Sequence, residues 1–314
     1  MKKKYWNYTY SVLLSIILVL LVGIFIHLSG GNSKIYPLLN EEAKMPEEKA
    51  RIREQEFQDE QVPFLYEIFQ KSEDELQLFH QFTQGKLDQA EGLKDSPKIA
   101  IIIDDLGYQK EIAERIISLD FPVTISILPF LPHSQIVAQM AKEKGLTVLL
   151  HLPMEPQNSN VNPGQGAIFS TMTEEEIRNK MLANFQEVPY VDGINNHMGS
   201  KATENTAVMR IVLNEVRERG LFFIDSMTSP NSVGYTLSKQ MGIKTAYRSV
   251  FLDNDQDIDY IRSQVNLLKD FAEKYGTAIA IGHPYCNTID VLSEIDLLLR
   301  AEGIRIVKLE ELLE

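Results

Sequence analysis

The sequence predicts an α/β fold built on a parallel sheet or barrel, and three observations carry that prediction. Apolar runs such as Ile99-Ala100-Ile101-Ile102-Ile103 and Ala278-Ile279-Ala280-Ile281 read as strands buried on both faces. Amphipathic helical segments alternate with such runs from residue 98 onward. Gly145, Gly220, Gly276 and Gly303 each follow a helical segment and precede a strand, the place where a left-handed residue ends a helix.

Residues 1–30 come first. Lys2-Lys3-Lys4 precede an apolar stretch from Tyr10 to Leu28, close to the roughly 20 residues that span a bilayer. Trp6, Tyr8 and Tyr10 suit an interface, and the lysines favour an inside N-terminus. The segment lacks the A-x-A-like pattern of a cleaved signal peptide. It reads as a single-pass anchor in the cell membrane with the remaining chain extracytoplasmic, the alternative being a signal peptide cleaved near Ser29-Gly30-Gly31. Residues 31–96 are rich in Glu, Gln and Lys, with scattered Phe64, Leu65, Ile68, Phe69, Leu76, Leu78 and Phe79. They read as a helical stalk. It is either a solvated spacer or a surface for an envelope protein partner, and the lack of a sustained heptad favours the spacer. Asp95-Ser96-Pro97 marks the boundary of a domain over 97–314.

Within that domain strands are expected near 98–104, 123–128, 146–151, 191–197, 221–225, 243–251, 277–282 and 304–307. Helices are expected over Gln109–Leu119, His133–Lys144, Thr173–Phe185, Asn205–Arg219, Asp257–Tyr275 and Val291–Ala301. Ser134, Thr173 and Asn205 stand near first turns, where short polar side chains serve unpaired amides.

The net charge of −13 argues against a nucleic-acid surface, which needs a basic patch. A single cysteine, Cys286, excludes an internal disulfide and any Cys-based zinc cluster.

Five predicted strands end on acid or histidine. Asp104-Asp105, His151, Asn195-Asn196-His197, Asp225 and Gly282-His283 each follow an apolar run. Ligands and catalysis collect at the carboxyl ends of parallel strands, so one rim receives the residue types of a divalent metal site with acid–base partners. The Asp104-Asp105 pair reads as one ligand and one general base. Neighbouring strand residues point to opposite faces, so a turn must bring both to one cleft. His151 and His197 read as ligands. His283 reads as a catalytic acid, and Asp225 as a carboxylate that orients a histidine. Glu155, Asn196 and Ser200, in the loops beside them, are candidate substrate contacts.

The runs Ile102-Ile103-Asp104-Asp105-Leu106-Gly107, His151-Leu152-Pro153-Met154-Glu155-Pro156 and Asn195-Asn196-His197-Met198-Gly199-Ser200 resemble the divergent polysaccharide deacetylase family. That family belongs to the NodB-like carbohydrate esterases. The resemblance covers roughly Pro97 to Glu314. It implies a distorted (β/α) barrel with a metal site, Asp104 as base, Asp105 and His151 as ligands and His283 as acid. Two departures stand out. The superfamily's second metal histidine falls at Glu155, leaving His197 as the candidate substitute. The arginine that usually orients the base has no counterpart in Asn195–Ser200. The expectation is a membrane-anchored, metal-dependent enzyme, with a zinc-like divalent ion, acting on a cell-wall glycan. The rival is a non-catalytic binding module on the same barrel.

Overall fold

Every strand pairing in the nine-stranded sheet is parallel. The computed structural model describes residues 96–314. The strands are β1 (Lys98–Leu106), β2 (Thr124–Ile127), β3 (Val148–Met154), β4 (Gly193–Met198), β5 (Phe222–Asp225), β6 (Thr245–Tyr247), β7 (Val250–Phe251), β8 (Thr277–Gly282) and β9 (Arg305–Ile306). The helices are α1 (Lys110–Ile117), α2 (Ser134–Glu143), α3 (Glu174–Glu187), α4 (Thr206–Glu218), α5 (Gly234–Gln240), α6 (Ile258–Tyr275) and α7 (Cys286–Ala301). Nearly the whole of the predicted anchor and stalk lies outside the described residues. Among the described residues no helix is long and apolar enough to cross a membrane.

The strand order is β6-β5-β4-β3-β2-β1-β8-β7, with β9 against the first residues of β1. β6 and β7 are thus opposite edges, yet Arg248 and Ser249 alone separate them in the chain. From Tyr247 to Val250 the chain reaches at most about 11 Å. The sheet must therefore curl until its edges nearly meet. Arg248 N donates to Asp225 O on one side of this seam, and Ser249 N to Ile279 O on the other. The sequence suggested one strand over 243–251; the chain instead crosses the seam in the middle of it.

Strand alternation sorts the apolar residues into two cores. Ile99, Ile101 and Ile103 of β1 face the helices, together with Leu150 and Leu152 of β3 and Phe223 of β5. Ala100, Ile102, Leu149, Phe222, Ile224, Ile279 and Ile281 face the barrel interior, where Leu309 and Leu312 also pack. Gly193 is required at its position, because a Cβ there would lie 2.5 Å from the Phe222 ring.

Local capping matches the sequence at Thr173, which forms a capping box with Glu176, and at Asn205, which accepts from the amides of Ala207 and Val208. Ser134 does not cap its helix; its hydroxyl donates to Leu128 O. Two elements differ from expectation. α5 was not foreseen, because the Tyr235 amide in its first turn is held by Asp225, ten residues upstream. α7 begins at Cys286 rather than Val291, through residues of low helix propensity.

Candidate metal centre at the strand ends

The inner stripe of each strand continues upward from the apolar core into polar residues. Asp104 follows Ile102, His151 follows Leu149, Ser226 follows Ile224 and His283 follows Ile281, each two residues on. Ser126, Asn195 and His197 join them, and all seven are buried. Asp105 should point outward by the same rule. Its φ of 57° turns the chain, and the β1–β2 register shifts between Ile103 and Leu106. This left-handed turn, which disfavours residues other than glycine, swings Asp105 into the cleft beside Asp104. Met198 and Met227, at the ends of β4 and β5, adopt φ of 51°.

Asp105, His151 and His197 form a tight triangle. Asp105 Oδ1 lies 3.2 Å from His151 Nε2 and 3.0 Å from His197 Nδ1, and the two ring nitrogens are 3.1 Å apart. In a tetrahedral zinc site with Zn–N near 2.05 Å, two ligand atoms stand about 3.3 Å apart. The triangle is close to one face of that tetrahedron. Asp105 Oδ1 is buried and lacks an aligned hydrogen bond. Burial works against a charge on Asp105, but the two imidazoles outweigh it and hold the carboxyl well below its usual range. Burial likewise disfavours a charged His151, but Asp104 and Asp105 outweigh that and raise its pKa. Among the described residues, this is the group whose His and carboxylate atoms converge as metal ligands do.

Asp104 and His283 flank the triangle. Asp104 Oδ1 accepts from Asn195 Nδ2 at 2.8 Å, and its Oδ2 lies 3.6 Å from His151 Nε2. His283 Nδ1 meets Asp253 Oδ1 at 2.8 Å. Asp253 Oδ2 accepts from the His283 amide and from the Thr288 hydroxyl, so this carboxylate is fixed at both oxygens. Burial disfavours the imidazolium, but Asp253 outweighs it and pushes His283 up to about 9. Asp253 thus favours the protonated form of His283.

The other predicted site residues are held by hydrogen bonds within the chain. The histidine partner expected for Asp225 is not among its hydrogen-bond partners. Asp225 shares the outward face of Phe223 and accepts from the amides of Met227 and Tyr235 and the Ser232 hydroxyl. Burial raises its pKa. Glu155 accepts from the Ser170 amide and hydroxyl and from Lys201 Nζ. Asn196 accepts from the Ser226 amide and donates to Met198 O. Ser200 accepts from the Gln157 amide. These bonds brace the rim loops.

Sequence reasoning gave Asn195 no role of its own and passed over Asp253, Ser126 and Arg248. Arg248 enters from the seam and is 9% exposed. Its Nε donates to Ser226 O, its Nη2 to Met227 O, and its guanidinium lies 3.7 Å over the Phe251 ring. Burial pulls its pKa down to about 9, against Asp225 and Asp104, which hold its charge. A buried guanidinium thus lies near Asp104, supplied by the connection between β6 and β7 rather than by Asn195–Ser200, where an arginine was sought.

A family model of divergent polysaccharide deacetylases matches residues 101–313. The chain belongs to that family. The chain is 36% identical to the uncharacterized protein YibQ of Escherichia coli K12 over 198 residues, 63% of this chain and 62% of that one. The match thus spans less than two thirds of that relative. An uncharacterized protein of Haemophilus influenzae is 34% identical over 195 residues, covering 62% of this chain and 69% of its own. A crystal structure of the uncharacterized protein ATU2773 from Agrobacterium tumefaciens C58 shares the fold. Its TM-score is 0.67 at 22% identity, over 71% of this chain and 91% of that one. The family's name and the parallel α/β barrel agree with what the strand-end motifs resembled.

Proposed function

We propose that this protein is a metal-dependent hydrolase that removes N-acetyl groups from a cell-envelope polysaccharide, held outside the membrane by its N-terminal segment. The observation that carries the proposal is the Asp105–His151–His197 triangle, flanked by the Asp104 carboxylate on β1 and by His283, just beyond β8, whose pKa Asp253 raises. A bound Zn²⁺-like ion would polarise the acetyl carbonyl and make water acidic enough to react near neutrality. Asp104, held at Oδ1 by Asn195, directs Oδ2 toward the site and takes the proton of the attacking water. His283 has Nδ1 committed to Asp253, and Nε2 is the nitrogen assigned to protonate the departing amine. The apolar run Tyr10–Leu28 supports an anchored, extracytoplasmic enzyme, for which a wall glycan is the natural substrate.

The test pairs zinc content with acetate release from N-acetylated glycan oligomers. Asp104→Asn is expected to keep the zinc and lose roughly 10²–10⁴-fold in rate. A zinc-loaded wild type that binds such glycans and releases no acetate would instead establish the binding-module reading.

A further inference from the structure

Asn195 is the most connected polar side chain of the site, and it is fully buried. Its Nδ2 donates to Asp104 Oδ1 at 2.8 Å and to Ser226 Oγ at 3.3 Å. Its Oδ1 accepts from Ser126 Oγ at 2.7 Å and meets His151 Nδ1 at 3.0 Å. A carboxamide offers two donors and two lone pairs, so each is in use. The nitrogen end of the amide faces the Asp104 carboxylate. The oxygen end then faces His151, so His151 Nδ1 must carry the proton. His151 Nε2, on the other side of the ring beside Asp105 Oδ1, is then the nitrogen that would ligate a metal.

We infer that Asn195 is the positioning residue that couples the two halves of the site, setting the metal-binding tautomer of His151 and the orientation of the base Asp104 with one side chain. The inference rests on the metal reading of the triangle. Partners that fix a ligating histidine typically matter by 10–100-fold in metal affinity. The two ends of the amide have separable duties. The oxygen end serves the metal ligand, and the nitrogen end serves the base. Ser126 and Ser226 hold the amide from β2 and β5, so three strands beyond β1 contribute to the alignment of Asp104.

The experiment measures zinc affinity by competition with a chromophoric chelator, kcat and KM for acetate release, and the imidazole N–H resonance of His151 in the zinc-loaded full chain. Asn195→Asp keeps an acceptor for His151 Nδ1–H but turns a repelling oxygen on Asp104. It is expected to hold zinc at least as tightly as wild type, keep the Nδ1–H resonance, and lose kcat with little change in KM. Asn195→Leu removes both ends at similar volume and is expected to weaken zinc binding 10–100-fold and to lose that resonance. A folded Asn195→Leu with wild-type zinc affinity overturns the inference, as does equal zinc loss in both variants. Should Asn195→Leu fail to fold, Asn195→Asp decides, with retained zinc and lowered kcat supporting the inference and lost zinc refuting it. A wild type that binds no zinc refutes the metal reading itself, and one that binds zinc without turnover refutes only the enzyme reading.

Discussion

Along β1 the barrel interior changes character within two residues. Ala100 and Ile102 pack in an apolar lower layer with Phe222, Leu309 and Leu312, whereas Asp104 meets Asn195 and faces His151. The same contrast holds on β8, where Ile279 and Ile281 lie below His283. One inward stripe thus serves two ends. The lower end is a close-packed plug, and the upper end gathers charges that would be costly to bury singly but are paired or hydrogen-bonded together. The lower layer also blocks the barrel from below, so the polar layer is approached from the strand ends.

The largest effect that could break this division is expected in the lower layer. Phe222→Ala leaves a cavity over Gly193 and should cost about 3–5 kcal/mol of stability. Zinc affinity and activity per folded molecule should stay near wild type, as checked by thermal unfolding beside the zinc titration. A loss of zinc binding in the folded protein would show that the two layers are one unit.

A smaller effect is expected from the upper layer, and it is read in pH. His283 is raised to about 9 by Asp253, so the acid form persists through neutrality and is lost as pH rises through about 9. The basic limb of kcat/KM should lie there in wild type. In Asp253→Asn the limb should move down toward the ordinary histidine range near 6.5. A limb unmoved by the substitution would remove Asp253 from the acid's support.

The smallest effect concerns a residue at the same height that faces outward. Asp225→Asn weakens the bonds to the Ser232 hydroxyl and the Tyr235 amide beside α5. It should cost about 1–3 kcal/mol in unfolding measurements, with zinc content unchanged. Loss of zinc at full stability would place Asp225 in the site after all.

The strand ends were legible because apolar runs stopping on Asp or His are visible in one dimension. What the sequence hid was which side each terminal residue takes. Alternation from the apolar stripe explains Asn195 and His197 facing inward and Asp225 facing outward, since Asp225 has the parity of Phe223 and not of Ile224. Asp105 breaks alternation through a single backbone angle that no residue pattern announces. Asp253 was overlooked because β7 is only Val250–Phe251, too short to show a period. Arg248 was overlooked because its place depends on the two sheet edges approaching each other, a property of the curled sheet. The anchor and stalk expectations rest on residues 1–96, and only the last of these is among the described residues.

The position of β1 in the sheet also has a meaning in time. It is the earliest of the nine strands to leave the ribosome, yet on one side its partner is β8 at Thr277–Gly282, and Lys98 and Ile99 also wait for β9. Synthesis at ~5–20 residues per second separates these strands by on the order of ten seconds or more. Throughout that interval the nascent chain carries Ile99 to Ile103 on a strand with one unpaired edge. An interior strand of the finished sheet is thus the longest-exposed edge of the unfinished one, and the step that ends its exposure is the arrival of the strand that bears His283 just beyond its end.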